Sequence, residues 1–116
     1  MSHRRISPTL MTVVTFLLAF PFRGIAQDSP PAATAASNFK GKCAMCHAAD
    51  LSGNTPMGKK LSVPDLRAPE VQNQPDAELI GTITKGMKKM PAFGGKLSKE
   101  EIANLVAYLR EMARKH

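Results

Sequence analysis

The sequence predicts an all-α fold of three to five short helices joined by long loops, and three observations carry that reading. Ile102, Leu105, Val106, Leu109 and Met112 recur at helical spacing behind a Ser98–Glu101 capping box. A second segment, Pro75 to Lys85, places Leu79, Ile80 and Ile83 on one face, with Asp76 and Glu78 near its start and Gly86 at its end. No alternation of apolar and polar residues long enough for a half-buried strand occurs anywhere in the chain.

The chain begins with an export signal. Arg4 and Arg5 precede an apolar run of 12 residues, Met11 to Phe22, and small residues at Gly24 and Ala26 then set a cleavage site after Ala26. Residues 1–26 therefore read as a cleavable signal peptide, and the run is well short of the ~20 residues a membrane-spanning helix needs. Cleavage leaves 90 residues. It removes three arginines and no acid, so the net charge falls from +7 to +4. With few aromatic residues and no arginine-rich helix, this charge gives no hardware for nucleic-acid recognition.

Residues 27–37 are small, polar and proline-containing and read as a flexible lead-in, and residues 38–116 as the single domain. A short helix is expected over Asn38 to Cys46, with Phe39 its one large apolar residue ahead of the cysteines. Asp50 to Pro75 is broken by Gly53, Pro56, Gly58, Pro64 and Pro69 into turns, with a turn of helix expected near Asp65 and Leu66. A loop of that length in so small a domain implies that it wraps something. After Gly86, the segment to Leu97 reads as a loop leading into the last helix, with Leu97 and Ile102 placed as its hydrophobic staple.

Cys43 and Cys46 are the only cysteines, and His47 follows directly. A redox dithiol of thioredoxin type requires a strand–helix setting that this chain lacks. A structural zinc ion requires four ligands, and the remaining histidines are His3, in the leader, and His116, at the end of the chain. Covalent haem attachment remains, for which C-x-x-C-H is the signature. Two cysteines about one helical turn apart can each bond a vinyl group on one haem edge, and the next residue then turns its imidazole to the iron. That arrangement predicts a second axial ligand on a downstream loop.

"CAMCH", followed by "GNTPMGKKLSVPDLR" and "KKMPAFGGKLSKEEIANLVAYLR", resembles the small single-haem class I cytochromes c of bacterial type, over roughly Asn38 to the C-terminus. The resemblance implies a cytochrome c fold around one covalently attached haem c. Cys43 and Cys46 would be its thioether anchors, with His47 and Met90 of the "MP" element the axial iron ligands. Met87 is the rival thioether, three residues away on the same loop. Pro56 occupies the place where the family offers a carbonyl to the axial histidine, although Thr55 stands where the family has glycine. An ordinary turn proline is the alternative reading of Pro56. Phe39 and Tyr108 would meet where the first and last helices cross.

With both axial positions filled by protein, the resemblance implies an exported, periplasmic one-electron carrier rather than an enzyme. The alternatives are a haem peroxidase or a gas or redox sensor with a displaceable methionine, or an electron-input subunit of a larger oxidoreductase. Lys40, Lys42, Lys59, Lys60, Lys85, Lys88, Lys89 and Lys96 fall in or near the segments expected to frame the haem. They form either a basic rim that steers acidic patches on redox protein partners into transient complexes with a monomer, or an ordinary solvated surface.

Overall fold

The computed structural model describes residues 31–116; the expected leader and its cleavage site, together with the first residues of the lead-in, lie outside them. Six helical segments run in order: α1 (Pro31–Lys42), α2 (Ala44–His47), α3 (Pro56–Leu61), α4 (Pro69–Gln72), α5 (Asp76–Lys85) and α6 (Lys99–Arg114). Two are single turns of four residues, which accounts for the excess over the expected three to five. Among the described residues there is no strand, only one isolated antiparallel bridge between Met87 and Met90. None of the helices described is long and apolar enough to cross a membrane.

The last helix forms as its local chemistry dictates. The Ser98 hydroxyl accepts from the Glu101 amide at 3.1 Å, and the Glu101 carboxylate accepts from the Ser98 amide at 2.8 Å, so both bonds of the capping box are made. Leu97 and Ile102, the expected staple, are both buried. The apolar stripe of α6, Ile102, Leu105, Val106 and Leu109, is buried throughout; each such side chain contributes about 1.5–3 kcal/mol on leaving water. Helix α5 begins one residue later than expected. Pro75 is its N-cap in extended conformation, and Asp76 takes the first helical position.

Helix α1 departs further from expectation. It starts at Pro31 rather than near Asn38, so most of the stretch read as a flexible lead-in is helical. The reason is packing: Ala35 and Phe39, one turn apart, are both buried, and alanine is the strongest helix former. Phe39 meets Tyr108 of α6 with ring centroids 5.6 Å apart and planes tilted by 47°, the aromatic contact expected at this crossing. The Asn38 amide adds a bond at 3.3 Å to Glu101 of the capping box.

The proline-broken stretch is also more ordered than its punctuation suggests. Pro56 and Pro69 begin α3 and α4 rather than ending anything, because the first helical position neither needs an N–H nor objects to a fixed φ. The expected helical turn at Asp65 and Leu66 is a non-helical turn, and the helix comes four residues later, at Pro69. Arg110 of α6 ties this region down. Its guanidinium donates to the Gln72 carbonyl at 2.6 Å, to the Gln74 carbonyl at 2.5 Å and to Asp76 Oδ1 at 2.9 Å. Gln72 Nε2 passes the linkage on to the Leu66 carbonyl at 2.6 Å, and the Leu66 amide bonds the carbonyl of fully buried Leu51 at 2.9 Å. One arginine thereby sets the distance between α6 and the loop wall that faces it.

Candidate haem site

The C-x-x-C-H segment is a single helical turn. Cys43 is its N-cap; its carbonyl accepts from the amides of Cys46 at 3.1 Å and His47 at 3.0 Å. Three residues of separation on such a turn bring both sulfur atoms to one side of it. The chain then reverses sharply. Ala48 has φ 61° and ψ 158°, a region that side chains other than glycine's rarely enter, and Leu51 has φ 70°. This strain lies directly beside His47, and the Gly53 amide closes the reversal on the His47 carbonyl at 2.9 Å.

Thr55, which no sequence motif singles out as a site residue, has three tasks here. Its hydroxyl donates to the Met45 carbonyl at 2.8 Å inside the cysteine motif and accepts from the Gly58 amide at 2.8 Å, and it is the N-cap of α3. A glycine at this position could make neither hydroxyl bond. The Thr-Pro pair is itself the missed signal, an N-cap followed by a first-turn proline. Gly58 is buried where α3 crosses the motif, and a Cβ there would collide with the carbonyl oxygens of Cys46 and Gly53.

A cavity of about 480 Å³ opens beside this turn, within the size range of a cofactor site. Cys43, Cys46 and His47 line one side, and Met87, Met90 and Pro91 the other. A smaller apolar chamber of about 80 Å³ continues inward, between His47 and Met90, to Phe39, Leu105 and Leu109. The structure therefore brings together both cysteines, the histidine and the methionine singled out in the sequence. It does not join Pro56 to His47. Pro56 is the first residue of α3, where its carbonyl faces along the helix axis, and among the described residues the buried His47 Nδ1 has no hydrogen-bond partner.

The two thioethers differ. Met90 is half-buried and packs against the core, whereas Met87 is 56% exposed. Met45 and Met57 are also exposed, and neither lines the cavity. The loop carrying Met90 hangs from α5: Phe93 N–H donates to the Ile83 carbonyl at 2.9 Å and Gly94 N–H to the Thr84 carbonyl at 3.1 Å. Gly86, at φ 77°, lets the chain pass beneath it, with the position of a Cβ only 2.6 Å from the Met90 carbonyl oxygen.

Burial pushes the Cys43 thiol up to about 11, which disfavours its thiolate, and the two cysteines are not bonded to each other. Burial lowers the His47 pKa and keeps the ring neutral, the form that ligates a metal. Among the described residues no group of three or more His, Cys, Asp or Glu side chains could hold an ion. An apolar slot with paired thiols at its edge, a neutral imidazole on one side and a thioether on the other fits a flat, covalently anchored metal macrocycle.

Those features define an all-α haem protein. Comparison with known proteins carries this further: residues 30–109 match the family model described as "Cytochrome C oxidase, cbb3-type, subunit III". The chain is 31% identical to cytochrome c6 of a Picosynechococcus species over 95% of each protein. It is 34% identical to cytochrome c6 of a Nostoc species, over 89% of this chain and 87% of the relative. With cytochrome c6 of Parathermosynechococcus lividus it shares 35% identity, over 72% of this chain and 92% of the relative. The chain belongs to the small, single-haem class I c-type cytochromes.

Proposed function

We propose that Cys43 and Cys46 hold the haem c of this cytochrome through thioether bonds, and that His47 and Met90 are its axial ligands. The carrying observation is the convergence of all four residues on one largely apolar cavity, between a half-buried imidazole and a half-buried thioether. The protein is an electron carrier, not an enzyme. The haem supplies a reversible one-electron couple, and the chain's own residues set its properties. Leu66, Val71, Leu79 and Phe93 wall the cavity and exclude water, which disfavours the extra charge of the oxidised form. A thioether donor acts in the same direction, and both raise the potential.

The cavity mouth also supports a partner class. Lys42, Lys88 and Lys89 line it and no aspartate or glutamate does, so an acidic patch on a redox partner finds charge of one sign there. Lys96 instead lies over the Phe93 ring, with its Nζ 5.7 Å from the centroid. A monomer acting in transient complexes after export to the periplasm is the state this surface and the leader sequence favour.

The ferric spectrum of the exported holoprotein tests the ligand assignment. A weak sulfur-to-iron charge-transfer band near the red end is expected, unchanged in Met87→Ala and insensitive to added peroxide, and the ferrous spectrum should be insensitive to carbon monoxide. A high-spin ferric spectrum that responds to peroxide, or a ferrous one that responds to carbon monoxide, would instead establish the peroxidase or sensor alternative. Loss of the band in Met87→Ala, with a wild-type spectrum in Met90→Ala, would move the ligand to Met87.

A further inference from the structure

Met87 and Met90 are more than neighbours on one loop. The Met87 amide donates to the Met90 carbonyl at 3.1 Å and the Met90 amide to the Met87 carbonyl at 2.8 Å. Two residues that exchange both bonds of an antiparallel pair stand directly opposite each other, with Cα atoms about 5.5 Å apart and side chains leaving from the same face. Both methionines accordingly line the larger cavity, while only Met90 reaches the inner chamber.

We propose that Met87 is a reserve thioether ligand, able to take the axial position when Met90 leaves it. The inference rests on the reading that Met90 is the resident ligand. Three features of the turn support the exchange. First, the donors are chemically identical, so substitution breaks one iron–sulfur bond and makes another with no change of charge and no proton moved. Second, Met87 is 56% exposed and makes little packing that the exchange would forfeit. Third, the turn stores local strain at Lys88, which lies between the two methionines at φ 53°.

The test compares ferric spectra of Met90→Ala, Met87→Ala and the double variant, all as covalently loaded holoproteins. Met90→Ala is expected to keep a low-spin spectrum with a displaced sulfur-to-iron band, and the double variant to lose that band. Titration with imidazole adds a second readout: half-saturation of Met90→Ala should need about tenfold more imidazole than the double variant. A Met90→Ala spectrum and imidazole affinity equal to those of the double variant would overturn the proposal. Failure of the underlying assignment looks different, since Met87→Ala alone would then lose the band. Should Met90→Ala not accumulate, Met90→Leu keeps the apolar volume and gives the same comparison.

Discussion

The two sides of the cavity are built on different principles. On the imidazole side, the cysteine turn, the reversal after it and α3 are bound into one unit: Thr55 bridges to the motif, Gly58 lies against its backbone, and Gly53 closes on His47. Strained backbone at Ala48 and Leu51 persists there because its surroundings over-determine it. On the thioether side, Met90 stands on a four-residue turn closed by two hydrogen bonds, with Met87, Lys88 and Lys89 exposed around it. On the proposed ligation, one side would fix where the group is anchored, and the other would hold a ligand on a support with few constraints. Breaking the first should cost the whole fold, whereas breaking the second should cost the ligand alone.

The largest effect is expected at Gly58. Replacing it with alanine drives a methyl group into the Cys46 and Gly53 carbonyls, backbone atoms that cannot swing aside. A loss of about 3 kcal/mol follows from overpacking of this kind, enough that little holoprotein accumulates. Haem-stained yield and thermal melting check this. Melting within a degree or two of wild type would show that the imidazole side yields more readily than its contacts imply.

Gly86→Ala addresses the other side. Its φ of 77° and the approach of the Met90 carbonyl oxygen both penalise a Cβ, at about 2 kcal/mol combined. Because the penalty falls on the turn, the sulfur-to-iron band should weaken more than the melting temperature falls. Parallel losses of both would dissolve the distinction between the two sides.

The comparison also explains what the sequence discloses. The proposed anchor stands out in the sequence because covalent attachment demands a contiguous pattern, Cys43 to His47, and the last helix because its signals, Ser98 with Glu101 and Leu97 with Ile102, are local. The proposal for Met90 rests in the sequence on resemblance, since a methionine's spacing reveals nothing about what its sulfur faces. Pro56 and Pro69 look like breaks in the sequence because a proline's role depends on whether it precedes or interrupts a helix. Arg110 left no trace in the pattern: its partners lie on Gln72, Gln74 and Asp76, and two of the contacts are to backbone carbonyls that carry no sequence identity. The start of α1 depended likewise on Ala35, a residue too common to mark a buried position.

The smallest effect is expected in the loop between the two sides, where Asp65 and Arg67 form a fork of bonds at 2.9 and 2.7 Å, with a further 2.9 Å bond from the Arg67 amide. The bonds from Arg67 hold the Asp65 carboxyl down at about 2, against an ordinary value of 3.8. A group whose folded pKa is depressed stabilises the protein above its unfolded value and loses that contribution as pH falls through the folded one. The contribution of Asp65 is therefore complete above about pH 4 and gone near pH 2. The pair is partly exposed, its side chains 30% and 39% accessible, so solvent screening limits it to less than about 1 kcal/mol. Asp65→Asn should melt slightly below wild type at pH 6, and the gap should close as both are taken toward pH 2. Taking the difference cancels acid effects on His47 and on the haem itself. A gap that persists unchanged at low pH would mean that the turn is held by the amide bonds an asparagine can also accept, and that charge contributes nothing to the span joining the two sides.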